Sequence, residues 1–201
     1  MLISFEGIDG CGKSTQISLL KDYLDQHNRA NHLFREPGGT EISERIRSLL
    51  LHESDEMDPI TELLLFSAAR SQLISEKVIP LLKQNDIVIL DRFYDSTTAY
   101  QGYGRKSSSL EHIHLLNSIA SHQTKPDLTF YLRISAEEAG KRTQNTEKDR
   151  MEKAGLSFFK KVAKGFDDLS ESEKRFRTID ATQDKEFIHK KIISAVENFL
   201  Q

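Results

Sequence analysis

The chain of 201 residues is 37% hydrophobic and 29% charged, with a formal net charge of −3. This length suits one well-buried domain, and the slightly acidic balance excludes a general electrostatic attraction to nucleic acid. The apolar runs fall far short of the roughly 20 residues that cross a bilayer, and a single cysteine excludes an internal disulfide framework. Because the start runs directly into a strand pattern without a leader segment, we expect a cytoplasmic protein without membrane or nucleic-acid partners.

Hydrophobic spacing predicts strands that alternate with helices along the chain. The predicted strands are 1–6, 31–34, 86–90, 127–132 and 175–179, and the predicted helices are 16–26, 42–50, 58–79, 107–122 and 188–200. This alternation favours an α/β fold in which helices cover both faces of a five-stranded parallel sheet. The polar, highly charged stretch 143–155 is predicted to be a mobile insertion, with an ordinary surface loop as the alternative.

A phosphate-loop motif follows the first predicted strand directly. Residues 7–15 contain Gly-x-x-x-x-Gly-Lys-Ser between a strand and a helix, which is the context that the motif requires. Glycines let the backbone approach an anion closely, and the loop N–H groups and the helix N-terminus would face a di- or triphosphate. Lys13 would bridge the β- and γ-phosphates, and the Ser14 hydroxyl would ligate Mg²⁺. The expected nucleotide contacts are Gly7, Ile8, Asp9, Gly10, Cys11, Gly12, Lys13, Ser14 and Thr15.

A second polar cluster follows the third predicted strand. Asp91 and Arg92 stand where this apolar run ends, at the sheet edge where ligands of such folds bind. Asp91 would hold Mg²⁺, directly or through water, and Arg92 would hold a phosphate; a solvated surface pair is the alternative. Asp9 would repel phosphate unless a metal or a lysine lay between them, so we predict a magnesium-linked role for it. Arg35 at a strand end and Arg70 in a helix suggest an acceptor that carries negative charge.

Three further segments have distinctive sequences: 35–40 (Arg-Glu-Pro-Gly-Gly-Thr), 65–70 (Leu-Phe-Ser-Ala-Ala-Arg) and 91–101 (Asp-Arg-Phe-Tyr-Asp-Ser-Thr-Thr-Ala-Tyr-Gln). They resemble the signatures of bacterial thymidylate kinases. Residues 179–182 resemble the last strand and turn of the family, so the likeness extends over essentially the whole chain. The resemblance implies a three-layer P-loop kinase fold in one domain, 1–201, with a short lid at about 143–155 that closes over ATP.

The resemblance also implies a role for each residue of an acceptor pocket. The predicted dTMP contacts are Phe66 (stacking on thymine), Arg70 (carbonyl edge of the base), Thr97 and Gln101 (base), Tyr100 (deoxyribose), and Arg35 and Arg92 (monophosphate). These roles fit the chemistry, since an aromatic face suits a base and guanidinium forks suit phosphate. Because Phe66 lies in an apolar run, a core position is the alternative for it.

On the donor side, the resemblance implies that Arg142 stacks on the adenine of ATP. The chain departs from the family pattern in two places, since Gly10 stands where some members carry arginine and the lid has few basic residues. Arg150, which matches an Asp-Arg-x-Glu element of the family, or Lys148 is therefore expected to close onto the phosphates. The predicted catalytic residues are Lys13, Arg92, Asp9 and Arg150, and the predicted metal ligands are Ser14, Asp9 and Asp91.

These assignments predict direct in-line transfer of a phosphoryl group from ATP to dTMP, with Mg²⁺ as cofactor and no general base. One alternative is a deoxynucleoside kinase, in which Glu36 would act as the base. The other is a nucleotide switch, which expects an Asn-Lys-x-Asp tetrapeptide that this sequence lacks. The resemblance also implies a homodimer formed by packing helices. Cys11, at the start of a helix, is either a reactive thiol or, as we favour, an inert filler.

Overall fold

The computed structural model describes residues 1–51, 56–145 and 150–200, which contain a five-stranded parallel sheet surrounded by helices. The strands are β1 (Leu2–Glu6), β2 (Asn31–Arg35), β3 (Ile87–Asp91), β4 (Leu128–Arg133) and β5 (Phe176–Asp180). Their order in the sheet is β2-β3-β1-β4-β5. The five predicted strands and the α/β class are thus confirmed.

The helices surround this sheet and extend beyond the predicted set. They are α1 (Lys13–Gln26), α2 (Glu41–Leu51), α3 (Pro59–Leu73), α4 (Ile79–Lys83), α5 (Tyr94–Thr97), α6 (Leu110–Ala120), α7 (Ala136–Arg142), α8 (Leu156–Ser172) and α9 (Lys185–Leu200). π-Helical segments at Ile74–Val78 and Thr98–Arg105 continue α3 and α5, and a 3₁₀ turn at Glu152–Ala154 precedes α8. The predictions omitted α5, α7 and α8, and they ended the helix that begins at Pro59 four residues before Lys83.

The start of α3 confirms the signal expected from Asp58-Pro59. The Asp58 side chain caps the helix by accepting hydrogen bonds from the backbone N–H groups of Ile60 and Thr61, at 2.9 and 3.1 Å. Pro59 occupies the first turn, where no N–H is needed. This cap fixes where the helix begins, and therefore which of its side chains face the sheet edge.

Side chains of the three central strands, β1, β3 and β4, are buried on both faces, as their apolar sequences require. Leu2 of β1 packs with Leu73 at the end of α3 and with Ile74 of the following π-helical segment, whereas Ile3 belongs to the cluster that contains Ile17 of α1. On the face that Ile17 covers, α1 also packs against α9, and α8 contacts β4, β5 and the π-helical segment Thr98–Arg105. Within the described ranges, no helix combines the length and the apolar character needed to cross a membrane.

The carboxyl ends of β1, β2 and β3 meet at one edge of the sheet. In the register of the sheet, Asp91 at the end of β3 pairs with Phe5 of β1 and with Arg35 of β2. The phosphate loop leaves β1 at this same edge and leads into α1. The two polar clusters predicted from the sequence are therefore neighbours in space.

Candidate active site

A cleft of about 610 Å³ opens at this edge and contains residues from both clusters. Of the predicted site residues, those that line it are Asp9, Gly10, Gly12, Lys13, Ser14, Thr15, Arg35, Phe66, Arg70, Asp91, Arg92, Thr97, Tyr100, Gln101 and Arg142. Gly7, Ile8, Cys11 and Arg150 are not among the lining residues that the structure describes. A volume of this size is typical of small-molecule sites.

The phosphate loop needs glycine at two positions because space and backbone conformation both forbid a side chain. Gly7 and Gly10 have φ angles of 136° and 86°. A Cβ atom at Gly7 would lie 2.8 Å from the Leu132 carbonyl oxygen, and one at Gly10 would lie 2.8 Å from the Ala139 carbonyl oxygen. The structure thus explains why position 10 holds glycine and not a residue with a side chain.

Lys13 lies over this loop with 7% of its surface exposed. Its ammonium group donates hydrogen bonds to the carbonyl oxygens of Gly7 at 3.0 Å and Ile8 at 3.3 Å. The residue before it, Gly12, begins α1 without a side-chain cap, and no acidic residue follows in the first turn. The N–H groups at this helix start and the lysine charge together make a site for an anion.

Cys11 is buried beneath the same loop. It is 1% exposed, and its sulfur lies 3.7 Å from the Lys13 ammonium nitrogen. Buried structural thiols are inert, because reactive ones need access as well as a low pKa. The position therefore favours the inert filler over the reactive thiol.

Arg92 is held in a strained conformation between the two clusters. Its φ angle is 70°, a region that non-glycine residues rarely adopt. Nη1 donates to the Gly7 carbonyl oxygen at 2.9 Å, Nη2 donates to Asp9 Oδ1 at 2.5 Å, and the guanidinium carbon lies 5.1 Å from the Tyr100 ring centre. These contacts direct the guanidinium toward the phosphate loop.

Both carboxylate oxygens of Asp9 have partners. Oδ1 accepts from Arg92, and Oδ2 accepts from the Tyr100 hydroxyl at 3.1 Å. Burial alone would raise the pKa of Asp9, but the charges of Arg92 and Lys13 outweigh it and lower the pKa to about 2. Asp9 is therefore an ionised group that holds Arg92 against the loop. Its magnesium-linked role stays a prediction, and it would require an oxygen to leave one of these partners.

Glu6, which is not among the predicted site residues, contacts Arg92 indirectly through Ser96. Arg92 Nη1 lies 3.2 Å from the Ser96 hydroxyl oxygen, and that hydroxyl donates to Glu6 Oε2 at 2.6 Å. Glu6 Oε1 accepts from the backbone N–H of Phe93 at 2.8 Å. Glu6 is fully buried, and this burial, followed by the charge of Asp95, raises its pKa to about 8.

This raised pKa predicts that the free energy of unfolding falls with increasing pH. The folded state keeps on Glu6 a proton that the unfolded chain loses near pH 4.5, so the stabilisation is complete below that pH and lost by about pH 8. The slope contributed is at most about 1.4 kcal/mol per pH unit. Urea unfolding at pH 5.5, 6.5 and 7.5 should show a steeper decline for the parent than for Glu6→Gln. Parallel profiles would refute the raised pKa.

The other end of the cleft is built around Arg70. This side chain is 2% exposed. Nε donates to Glu36 Oε2 at 2.7 Å, Nη2 donates to Thr97 Oγ1 at 2.9 Å, and Nη1 donates to Asn117 Oδ1 at 3.2 Å. Guanidinium has five N–H donors, so two remain for a ligand. Burial raises the pKa of Glu36 against the opposing charge of Arg70, and Glu36 Oε1 has no hydrogen-bond partner among the described residues.

Phe66 satisfies both interpretations that the sequence left open. It lines the cleft, and it also packs, partly buried, against the main hydrophobic cluster. Arg35 is more exposed and pairs with Glu44 at 3.3 Å. Arg47 also lines the cleft and donates to the Pro37 carbonyl oxygen at 2.9 Å. Its position on α2 resembles that of an ordinary surface arginine, so the sequence offered no signal for it.

Asp91 and Ser14 offer the oxygen atoms that Mg²⁺ prefers. Both line the cleft, and Asp91 Oδ1 is buried without a hydrogen-bond partner in the described part of the chain. The same part contains no group of three or more His, Cys, Asp or Glu side chains arranged to hold a metal ion. The oxygens of Asp91 and Ser14 therefore fit an ion whose remaining ligands would be oxygens of a bound phosphate and of water.

The predicted lid is only partly described. Lys148 lies outside the described residues. Arg142 lines the cleft, with Nη1 3.5 Å from the Gly10 carbonyl oxygen. Arg150 instead binds Glu62 Oε2 at 2.6 Å and donates to the Leu50 carbonyl oxygen at 2.8 Å. Contact between Arg150 and the phosphates stays a prediction, and it would require the arginine to leave Glu62.

A parallel sheet, a phosphate loop and an adjoining arginine-lined pocket define the class of P-loop kinases. A family profile described as Thymidylate kinase matches residues 5–192. The chain is 46% identical over 214 residues to the thymidylate kinase of Chlorobium chlorochromatii, covering 100% of this chain and 96% of that one. It is 44% identical over 199 residues to that of Thermoanaerobacter sp. (strain X514), covering 98% of each.

A solved structure gives the same result. The crystal structure of thymidylate kinase from Ehrlichia chaffeensis superimposes with a TM-score of 0.80 at 36% identity, covering 98% of each chain. This chain therefore belongs to the thymidylate kinase family, and it is a kinase. The predicted resemblance, fold and enzyme class are confirmed.

Proposed function

We propose that this enzyme transfers the γ-phosphoryl group of ATP to dTMP, releasing ADP and dTDP for dTTP biosynthesis, with Mg²⁺ as cofactor. The observation that carries the proposal is one cleft that joins the phosphate loop to a pocket containing Phe66 and Arg70. ATP would bind with its phosphates on the loop and its adenine against Arg142. The base of dTMP would bind at Phe66 and Arg70, with Tyr100 against the deoxyribose.

The charges at the centre of the cleft support in-line transfer. Lys13 and the N-terminus of α1 would stabilise the transferred group, and Arg92 would hold the acceptor phosphate from the other side. Asp9 and Tyr100 keep Arg92 in place before the substrates arrive, so little reorganisation is needed during the reaction. Mg²⁺, held by Ser14 and Asp91, would neutralise negative charge on the phosphates.

The hydrogen bonding of Glu36 supports a charged acceptor, a nucleoside monophosphate, over an uncharged nucleoside. As the general base of a deoxynucleoside kinase, it would need a free carboxylate beside the acceptor hydroxyl. Its Oε2 atom accepts from Arg70 Nε, so one of its two oxygens is already bound, and this pair neutralises the arginine that we assign to the base. An acceptor monophosphate is already ionised near neutral pH and needs no such base.

The metal assignment predicts a change in magnesium dependence. Asp91→Asn should raise the Mg²⁺ concentration that gives half-maximal ADP release about tenfold, because it removes a charged oxygen donor. The measurement is a Mg²⁺ titration at saturating ATP and dTMP. Asp22→Asn, which changes an exposed acid on α1, is the matched control. An unchanged titration in Asp91→Asn would remove this residue from the metal site.

We also propose that the enzyme is a homodimer formed through α3 and α6. These two helices contact each other, and both expose large apolar side chains. Ile60 and Leu64 on α3 are each 52% exposed, and Leu115 and Ile119 on α6 are 61% and 64% exposed. Exposed apolar side chains on adjoining helices are typical of an interface when they form one patch. The cytoplasmic location stays a prediction.

Ile119→Glu should dissociate this dimer, because a charge would be buried in the proposed interface. Light scattering after size-exclusion chromatography should show the parent at twice the chain mass of 23.0 kDa and the variant at that mass. Leu49→Glu, at an exposed apolar position on α2, should stay dimeric. A monomeric parent would contradict the proposal.

A further inference from the structure

A buried carboxylate lies on the same face of α3 as the two residues assigned to the base. Glu62 is 1% exposed and stands one helical turn before Phe66 and two before Arg70. The mechanism proposed above gives it no role. A charged group at such a position is costly unless its oxygens are bound, so its partners indicate its purpose.

Glu62 binds one amide and two arginines. Gln101 Nε2 donates to Oε1 at 2.9 Å, and Arg105 Nε lies 3.5 Å from the same oxygen. Arg150 Nη2 lies 2.6 Å from Oε2. Two guanidinium groups therefore face one carboxylate, so its charge is compensated despite its burial.

An ionised carboxylate only accepts hydrogen bonds, so it determines which end of the Gln101 amide faces it. The NH₂ group of Gln101 must point to Glu62, and the amide oxygen must point elsewhere. Gln101 is 1% exposed and lines the cleft. The amide oxygen is therefore available to a ligand as an acceptor.

We infer that Glu62 is a positioning residue that selects the acceptor base by fixing the orientation of the Gln101 amide. This inference rests on the proposed binding of dTMP in the cleft. Thymine and uracil carry an N–H group at N3, whereas cytosine has an unprotonated nitrogen there. An amide oxygen can accept a hydrogen bond from N3–H of thymine or uracil. The same oxygen faces a lone pair on N3 of cytosine and is repelled by it. Sites built to bind an N–H group reject analogues that lack it, because buried polar groups are then left unpaired.

Glu62→Gln is the direct test, because it keeps the shape and removes the constraint. The new amide can donate or accept, so Gln101 is free to turn. We expect the KM for dTMP to rise about tenfold, the KM for ATP to change less than twofold, and the preference in kcat/KM for dTMP over dCMP to fall at least fivefold. Unchanged selectivity together with lower kcat or stability would overturn the inference, since a merely structural role gives that result.

Two further variants keep the test decisive. Glu62→Asp retains the charge for both arginines and withdraws the oxygen from Gln101, so it should lose selectivity even if Glu62→Gln fails to fold. Arg105→Met removes an arginine from the same carboxylate and leaves the Gln101 contact, so its selectivity should stay within twofold of the parent. If Arg105→Met lost as much of the preference for dTMP over dCMP as Glu62→Gln, Glu62 would not act through the Gln101 amide.

Gln101→Leu distinguishes a failure of this inference from a failure of the proposed function. If dTMP binds in the cleft as proposed, this change alone should raise the KM for dTMP, and adding Glu62→Gln should then have no further effect on it. If Gln101→Leu leaves the KM for dTMP unchanged, the assignment of the acceptor pocket is wrong. If Gln101→Leu raises the KM and Glu62→Gln adds a full separate increase, the inference about Glu62 is wrong.

Discussion

Replacing Lys13 with alanine is expected to lower kcat about 10²- to 10³-fold, which corresponds to about 3–4 kcal/mol of transition-state stabilisation. The ammonium group is the one lysine charge in the lining of the described cleft, and it lies at the loop where the transferred phosphate would bind. In a site that excludes water, a preorganised charge contributes far more than it would in solvent. The KM for dTMP should change much less, because Lys13 is assigned to the donor phosphates.

The measurement is steady-state ADP release with saturating Mg²⁺, ATP and dTMP. Lys21→Ala removes an exposed lysine of α1 that pairs with Asp25, and it should keep the parent kcat within twofold. If Lys13→Ala retained more than a tenth of the parent kcat, the phosphate loop would not be the donor site.

Replacing Arg70 with methionine is expected to lower the free energy of unfolding by about 3–5 kcal/mol. The substitution removes hydrogen bonds to Glu36, Thr97 and Asn117. It also leaves the buried Glu36 carboxylate without its counter-charge. Breaking a buried ion pair from one side is costly because the remaining charge stays desolvated. The variant should also lose measurable binding of dTMP, since Arg70 lines the acceptor end of the cleft.

A double variant separates the loss of charge balance from the loss of packing. In Glu36→Gln/Arg70→Met no unpaired charge remains, so we expect it to regain at least about 1 kcal/mol over Arg70→Met. Urea unfolding followed by circular dichroism gives both values. A change of under 0.5 kcal/mol for Arg70→Met, within the usual range for surface substitutions, would show that the pair with Glu36 contributes nothing to stability.

The sequence predicted those parts of the site that local patterns encode. The phosphate loop is one continuous motif, and the glycines at positions 7 and 10 have the positive φ angles that it requires. Apolar runs predicted the central strands β1, β3 and β4 because these buried strands are nearly continuous in hydrophobic residues, whereas the edge strands β2 and β5 are more polar and were predicted from shorter patterns. Parallel strands then bring Asp91 to the same edge as this loop, so the joining of the two clusters also followed from the sequence.

Contacts between distant segments could not be predicted in this way. Nothing near Glu6 in sequence indicates that Ser96 and Phe93 will bind its carboxylate. Glu62 likewise looks like an ordinary polar residue near the start of a helix, and only the fold brings Gln101 and Arg150 to it. Partners of buried charges are set by tertiary packing, which neither spacing nor composition encodes.

The omission of α8 has a different cause. Phe158, Val162, Phe166 and Leu169 are buried at helical spacing, so the periodicity was present in the sequence. The predicted insertion 143–155 is charged and weakly periodic, and α8 begins at the residue directly after it. By contrast, α5 is one turn long and continues as a π-helix, and so short a segment carries no clear period.

A panel of acceptors tests most directly whether this kinase phosphorylates dTMP. ADP release would be measured with ATP and Mg²⁺ while dTMP, dUMP, dCMP, UMP and thymidine are supplied in turn. The proposed cleft predicts strong turnover with dTMP, weaker turnover with dUMP, and little with the other three. Turnover with thymidine but not with dTMP would contradict the proposal, and it would make Glu36 the residue to study as a general base.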